Sequence, residues 1–497
     1  MKKGVFDRIS SFLKGIFGGQ GESLSTVKRL TNDFSAQSDL KKRRLVPDGG
    51  TSGYLLIYLD SMADGKLIAN NLVKPLLEQT TGDVSLDNLQ QAVSINAETL
   101  LIEDYDEMIK KLINGYCLLF DEKKDNVCLC CDVRVNTGRS ITEPPTGGVS
   151  KGPREGFVED AKTNLTLLKK RLKHPSFVAD NMTVGRYTQT SVYVCYIGEI
   201  IDKKTVARVK SILSKIDIDG VVDSSYLARF LDTDKSGFFK TVGSTEKPDI
   251  AVSKLLEGRV CIIADGSPMV LTLPYMFLED LHSPEDYYLS ARTATTSRFL
   301  RLFSVGLAVF IPSLYVALQV FNYQILPSKF LITILTSTQA IPFKPFEEML
   351  LVLVLFDILR EANFRMPQFA GISLSVVGAV VLGDAAVKAG LLGAPAVVIG
   401  ALSGIGLYAM PDNTLLFSFL RLVFLIVGSL AGLFGLCLVG LCVVGYVVSL
   451  DSYGSPYGAP FAPDVKNDQQ DAIVKLPLEK LVRRPKAVRN INEVRQK

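Results

Sequence analysis

Apolar positions are distributed unevenly along the chain. Up to about residue 300 they alternate with polar ones in strand-like and helix-like periods; from Leu302 to Leu450 they form a nearly continuous block cut by Gly and Pro. A helix needs about 20 apolar residues to span the hydrocarbon core of a bilayer. Leu302–Phe321, Phe369–Val387 and Leu391–Met410 meet that condition. Leu415–Leu450 exceeds it: as one helix it would reach roughly 54 Å against a core of about 30 Å. It is therefore two crossings with a break near Gly428–Gly432, or one tilted helix running beyond the bilayer. Ile325–Ile341 is weaker, interrupted by Pro327, Lys329 and Gln339, and Phe346–Leu359 is short with charge at both ends. The pattern predicts four crossings, with six allowed. Arg292, Arg298 and Arg301 precede the block, and Lys475, Lys480, Arg483, Arg484, Lys486 and Arg489 follow it. By the bias of basic residues toward the cytoplasm both ends lie there, so the number of crossings is even.

Ahead of the block, Tyr54–Leu59 reads as a strand, Asp64 opens a helix through Glu78, and Glu98–Ile113 reads as a second helix ended by Asn114-Gly115. Tyr116–Phe120 and Val127–Val135 read as strands around a polar turn. The plan recurs from about Thr183 to Leu273. Strand Val192–Ile197 leads to Asp202 and a helix to Ile216, and the Tyr58–Asp64 spacing equals that of Tyr196–Asp202. Lys111-Leu112-Ile113-Asn114-Gly115 matches Lys254-Leu255-Leu256-Glu257-Gly258, each leading into a strand. Two related β-α-β units explain these matches better than chance. Between them, Glu143–Phe177 is first too rich in Pro and Gly for a regular element, then helical over Phe157–Leu172. It is expected to wedge between the units or to touch a neighbouring subunit, with Arg154, Glu155, Phe157 and Glu159 as contact residues. Met1–Gly19 is either a basic amphipathic helix on a membrane surface or a frayed terminus, and Gln20–Gly53, with its charge run Lys41–Arg44, reads as a linker.

The predicted fold class is α+β joined to α-helical membrane. Two tandem small α/β cytoplasmic subdomains (53–142 and 183–297) are separated by a connecting segment (143–182). A polytopic α-helical transmembrane domain (298–450) and a basic cytoplasmic tail (451–497) follow, and an amphipathic segment and linker (1–52) comes before them.

Charge and composition narrow the chemistry. Lys and Arg number 55 against 51 Asp and Glu, a net charge of +4, which leaves no nucleic-acid footprint. Of eight cysteines, Cys128, Cys130 and Cys131 cluster, but without the spacing or the histidines of a metal site: only His174 and His282 exist. Buried strand cysteines are the expectation, with no metal and no cofactor. Gly147-Gly148…Lys151-Gly152 lacks the Gly-Lys-Ser/Thr ending of a phosphate loop, and no catalytic constellation is present, so no enzyme is expected. The informative charges lie inside the apolar block. Glu347, Glu348, Asp357, Arg360 and Glu361 share one short helix, where charge is costly unless it faces a cavity or a partner. The pore of an ion channel would suit them; for Asp357 onward, capping at the cytoplasmic surface is the alternative. Gly400 with Gly404, and Gly428 with Gly432, have the spacing that lets helix backbones approach closely.

Several long stretches together resemble the A-subunit family of spore germinant receptors, the GerA type. They are EPPTGGVSKGPREGFVEDAKTNLTLLKKRL at Glu143–Leu172, KPDIAVSKLLEGRVCIIADGSP at Lys247–Pro268, SPEDYY at Ser283–Tyr288, FEEMLLVLVLFDILREANFRMP at Phe346–Pro367 and DSYGSPYGAPFAP at Asp451–Pro463. The resemblance covers nearly the whole chain beyond about Gly53; Lys151 stands where the family pattern favours Arg. It implies a multi-pass protein of the inner spore membrane, acting with a transporter-like B subunit and a lipoprotein C subunit to sense nutrients and trigger germination. It also implies a homo-oligomer, thought to form a nutrient-gated ion channel. The alternative is a membrane-anchored scaffold whose cytoplasmic domains recruit germination partners without conducting ions.

Overall fold

The computed structural model describes residues 26–35, 37–46, 53–78, 86, 89–90, 99–122, 124–135, 151–339, 341–365, 381–466 and 468–496. The readings at Met1–Gly19, at Glu143–Ser150 and over most of Phe369–Val387 lie outside them. The described residues divide into two compact units, 26–135 with 162–181, and 151–161 with 182–496.

The first unit is a five-stranded sheet built from β1 (Leu40–Leu45), β2 (Tyr54–Leu59), β3 (Thr99–Ile102), β4 (Cys117–Asp121) and β5 (Lys124–Cys131), in the order β1-β2-β4-β5-β3. Its paired strands are antiparallel. Strand period 2 sends alternate side chains to opposite faces. Ile57, Leu59, Leu118 and Phe120 pack against α1 (Thr26–Asp33) and α3 (Tyr105–Ile113). Tyr54, Leu56, Tyr58 and Leu119 pack on the other face against Leu72 and Leu76 of α2, the continuous helical stretch 65–78. The same alternation separates the clustered cysteines. Cys128 and Cys130 join the first layer, Cys117 and Cys131 the second, so the four cannot converge on one ion. Burial pushes the Cys130 and Cys131 thiols up to about 12.

Two expectations here require correction. The charge run Lys41–Arg44 is not linker: it is the exposed middle of edge strand β1, paired with β2 from Leu40↔Leu59 to Leu45↔Tyr54. Charged side chains on an edge strand oppose further strand addition, and they also hid the strand from a reading based on apolar period. The segment Glu98–Ile113 is not one helix either. Thr99–Ile102 pairs with β5, and Asp104 then caps α3, its carboxylate accepting from Asp106 N at 3.4 Å.

A second sheet consists of β6 (Phe177–Val184), β7 (Thr190–Ile197), β8 (Gly243–Thr245), β9 (Val260–Ala264) and β10 (Val270–Leu273), ordered β6-β7-β9-β10-β8. That is the first sheet's order repeated. Capping detail repeats too. Asp64 accepts from Lys66 N at 2.8 Å and Asp202 from Lys204 N at 3.0 Å. Gly115 (φ 91°) and Gly258 (φ 87°) occupy the left-handed region that ends a helix, each donating to the carbonyl three residues back at 3.0 Å. Helices α5 (Lys203–Ser214) and α6 (Ser224–Leu231) share a core with β7, β9 and β10. Helix α7 (Pro248–Leu256) leads into β9. The helix expected over Phe157–Leu172 is shorter, α4 (Ala161–Arg171), and buries Lys169 against Asp39 at 2.5 Å.

The apolar block forms α8 (Ala291–Val320), α9 (Ser328–Thr338), α10 (Pro345–Arg365), α11 (Ala394–Leu407) and α12 (Thr414–Ser449). Among the described residues two helices are long and apolar enough to cross a membrane by themselves, Ala291–Val320 and Pro411–Ser449. At 14 residues α11 reaches only about 21 Å. The long last helix is interrupted at Gly432 (φ 58°, ψ −148°). A Cβ on Gly428 would meet the Leu436 side chain at 2.9 Å, although eight residues of straight helix would separate them by about 12 Å. Phe419 and Tyr446 likewise reach the adjacent residues Phe238 and Phe239. The chain therefore turns back on itself at Gly432, which decides between the two readings of Leu415–Leu450 in favour of a break.

Candidate functional site

Helix phase sorts the charges of α10. At 100° per residue Glu347, Leu351, Val354, Ile358, Glu361 and Arg365 fall on one stripe. Glu347, Glu361 and Arg365 are exposed at its ends; Val354 and Ile358 are 42% and 58% exposed between them. The stripe is thus acidic at both ends, apolar in the middle and uncovered in the single chain. The other three charges turn inward. Glu348 is 1% exposed, and its carboxylate accepts from Gly393 N at 2.6 Å, at the start of α11. Asp357 pairs with Arg421 of α12 through both oxygens at 2.9 Å. Arg360 lies 3.3 Å from Asp357 and donates to Ser418 Oγ at 2.8 Å. Arg421 also donates to Ser403 Oγ (3.0 Å), which donates to the Ala308 carbonyl (2.7 Å). One ionic cluster thereby ties α8, α10, α11 and α12 together. The sequence grouped the five charges; only their phase on the helix separates an exposed pair, Glu347 and Glu361, from an internal set.

The glycine pairs divide in the same way. A Cβ on Gly400 would strike Val352, so α11 and α10 pack closely there, but Gly404 has nothing within 4 Å. The close approach of α11 to α8 is made at Gly406, where a Cβ would meet the Ser304 carbonyl at 2.5 Å. Gly428 packs against Ser313, whereas Gly432 forms the hairpin turn against the Phe321 ring.

Below the helices the long motifs build a joint. The loop from Asp232 to Val242 meets both ends of the α12 hairpin. Phe238 stacks on Phe419 with centroids 5.3 Å apart, and Tyr446 donates to Asp234 at 2.7 Å. The segment after α12 continues the contact. Ser452 donates to the Thr241 carbonyl (2.9 Å), Tyr453 to the Leu231 carbonyl (2.6 Å), and Tyr457 packs with Phe239 and Phe277. At the entry to α8, Asp286 binds Arg298 (3.3 Å) and Arg301 (2.7 Å), while Asp471 also binds Arg298 (2.9 Å). Lys475 donates to the Asp286 carbonyl. Two of the three arginines that set the orientation are thus internal ion-pair partners. The basic tail is a folded strap rather than a free segment, for Arg484 donates to the Leu256 carbonyl at 2.7 Å and Ile491 N to the Ile200 carbonyl at 2.8 Å.

Beside this joint Glu279 bridges Lys254 and Arg259, all three buried. Burial would push the Glu279 carboxyl up, but the Arg259 and Lys254 charges hold it at about 2. His282 is driven down to about 3 by burial and by Arg298, so it is a neutral ring donating to the Ala472 carbonyl at 2.8 Å.

Of the expected contact residues, Phe157 is buried and donates its N–H to the Glu246 carbonyl at 2.7 Å, and the Glu159 carbonyl accepts from Gly266 N at 2.8 Å. Arg154 and Glu155 are exposed.

Comparison with known proteins agrees with these motifs. The family model for the Bacillus/Clostridium GerA spore germination protein matches residues 28–487. Spore germination protein KA of Bacillus subtilis is 34% identical over 449 residues, covering 89% of this chain and 82% of that protein. Spore germination protein A1 of Bacillus subtilis is 30% identical over 91% of this chain and 93% of its own length. A crystal structure of the N-terminal domain of the A subunit of the Bacillus megaterium spore germinant receptor GerK3 aligns with 50% of this chain and 94% of that one, at 24% identity and a TM-score of 0.40. With its match running from residue 28 to residue 487, the chain belongs to the GerA family of spore germination proteins.

Proposed function

We propose that this chain is the A-type subunit of a spore germinant receptor, and that several copies assemble about a common axis with the α10 stripes facing one another across an ion path. The observation that carries this reading is the uncovered stripe itself. Carboxylates at the mouths of a pore concentrate cations, and an apolar ring between them closes the pore by dewetting. A stripe with Glu347 and Glu361 at its ends and Val354 and Ile358 between them has both features in register.

The joint supports an even number of crossings and cytoplasmic termini. The start of α8 and the end of α12 both meet the second soluble subdomain, so the chain leaves the bilayer on the side where it entered. Transporter-like B and lipoprotein C partners and residence in the inner spore membrane belong to the same proposal. The loop from Asp232 to Val242 is then the mechanical link by which movement of the soluble subdomain reaches the last hairpin, and the chain acts without catalysis of its own.

The test is assembly and conduction together. Purified in detergent with its partner subunits and reconstituted, the full chain should have the mass of a closed oligomer and pass ions when nutrient is added. A scaffold that only recruits partners would assemble without conductance, and that result would end the channel reading.

A further inference from the structure

We infer that an apolar cavity beside the α12 hairpin is a binding site for one acyl chain of a bilayer phospholipid. The cavity has a volume of about 410 Å³. Helix period builds its walls. Leu302, Gly306 and Phe310 line it at steps of four along α8, and Gly440, Val444 and Val448 do the same along the returning half of α12. Phe417 and Phe424 face the same space from the outgoing half, and Phe239 and Phe277 reach it from the joint. Among the described residues, all that line the cavity are Gly, Ala, Val, Leu or Phe. Phe417 and Phe424 are buried, whereas Leu302, Phe310, Val444 and Val448 are exposed at the rim. The cavity therefore opens to the side, where a bilayer presents hydrocarbon. A Cβ on Gly306 or on Gly440 would meet nothing within 4 Å. Close helix packing accounts for Gly400, Gly406 and Gly428 but not for these two, which keep the space open.

Chemistry, size and depth select the occupant. Water is a poor filling, because apolar cavities stay dry: an engineered one of about 150 Å³ takes up benzene instead. A helix from another subunit is too thick. Leu302 to Phe310 spans about 12 Å of helix. Over that length a helix about 10 Å across fills roughly 940 Å³, more than twice the space present. A single alkyl chain is slim enough. Depth points to its source. One leaflet supplies about 15 Å of the hydrocarbon core, so the cavity matches the run of an acyl chain in the leaflet that borders the soluble subdomain. Phe239, on the loop that meets both ends of the hairpin, also packs on Tyr446. A bound chain thus fills the space shared by α8, both halves of the hairpin and the joint. The inference rests on the proposal that these helices lie in lipid, and not on the ion path.

The chain contains no tryptophan, so one introduced indole reports one position. Phe417→Trp places it in the cavity, and Leu430→Trp on an exposed face near the hairpin turn. The test titrates the detergent-purified full chains with a phosphatidylcholine carrying a dibrominated acyl chain, which quenches indole on contact. Emission of Phe417→Trp should fall about twofold and saturate at one lipid per chain, while that of Leu430→Trp declines without saturating. Gly306→Leu with Gly440→Leu fills the cavity without a clash and replaces glycine by a better helix former. Added to Phe417→Trp, the pair should abolish the saturable quenching at an unchanged or higher thermal midpoint. Native mass spectrometry checks the chain without the indole: wild type should retain one phospholipid, and the Gly306→Leu, Gly440→Leu variant none. A wild-type chain that retains no phospholipid overturns the inference. So does saturable quenching that survives the two leucines, or equal saturation by dibrominated stearic acid, which would make a free fatty acid the occupant. In vesicles of the brominated lipid Leu430→Trp should be quenched whatever the cavity holds; failure there would overturn the membrane reading itself.

Discussion

Asp357→Asn should destabilise the folded chain by about 3–5 kcal/mol, the usual consequence of leaving a buried charge without its partner. The stranded charge is Arg421, 1% exposed and reached by both Asp357 oxygens at 2.9 Å. Arg360 loses the same carboxylate, so two guanidinium groups would share one region with no anion. The reverse change is predicted to be milder. Arg421→Met leaves Asp357 beside Arg360 at 3.3 Å, still paired. Because methionine fills the space without charge, Asp357→Asn combined with Arg421→Met should recover most of what the single Asp357 variant loses. Unfolding of the four proteins in detergent gives the coupling directly as a double-mutant cycle. Equal stabilities for wild type and Asp357→Asn would mean that the cluster does not hold these helices together.

Val354→Ser should raise resting ion flux through the assembled receptor on the order of tenfold or more, before any nutrient is added, because a hydroxyl keeps water in a constriction that valine would dry. Val354 and Ile358 stand one turn apart on the stripe and are open to solvent in the single chain, which is unusual for residues of their size unless lipid or another copy covers them. The control is Leu438→Ser. Leu438 is as exposed as Val354 but belongs to the returning half of α12 rather than to the α10 stripe, and that variant should leave resting flux at the wild-type level. Equal leakage from both variants would assign the effect to general loosening of the helices rather than to a gate.

Regular elements with a clean period were readable before folding. Tyr54–Leu59 forms a strand at the expected residues, and the matched positions of Asp64 and Asp202 become matched helix caps within sheets of the same order. Elements defined by a partner were not readable. β1 is a strand only because β2 lies beside it, and its Lys41–Arg44 run carries no apolar period. In the membrane block composition located the charged helix, but the direction of each charge depended on neighbours far along the chain, Arg421 for Asp357 and Gly393 for Glu348. Spacing alone chose Gly404 where packing uses Gly406, since a four-residue interval fixes a face of the helix and not what lies opposite it. The folded tail was missed for a similar reason: Arg484 and Lys475 read as free positive charge until their carbonyl acceptors are brought to them.

If Glu347 and Glu361 face the ions, they should set the reversal potential of the reconstituted receptor under a salt gradient, compared between wild type and the Glu347→Gln, Glu361→Gln double variant. Wild type should be cation-selective and the double variant should shift toward zero with its assembly unchanged, since neutral mouths no longer concentrate cations. A reversal potential identical in the two proteins would place the ion path elsewhere, away from the α10 stripe.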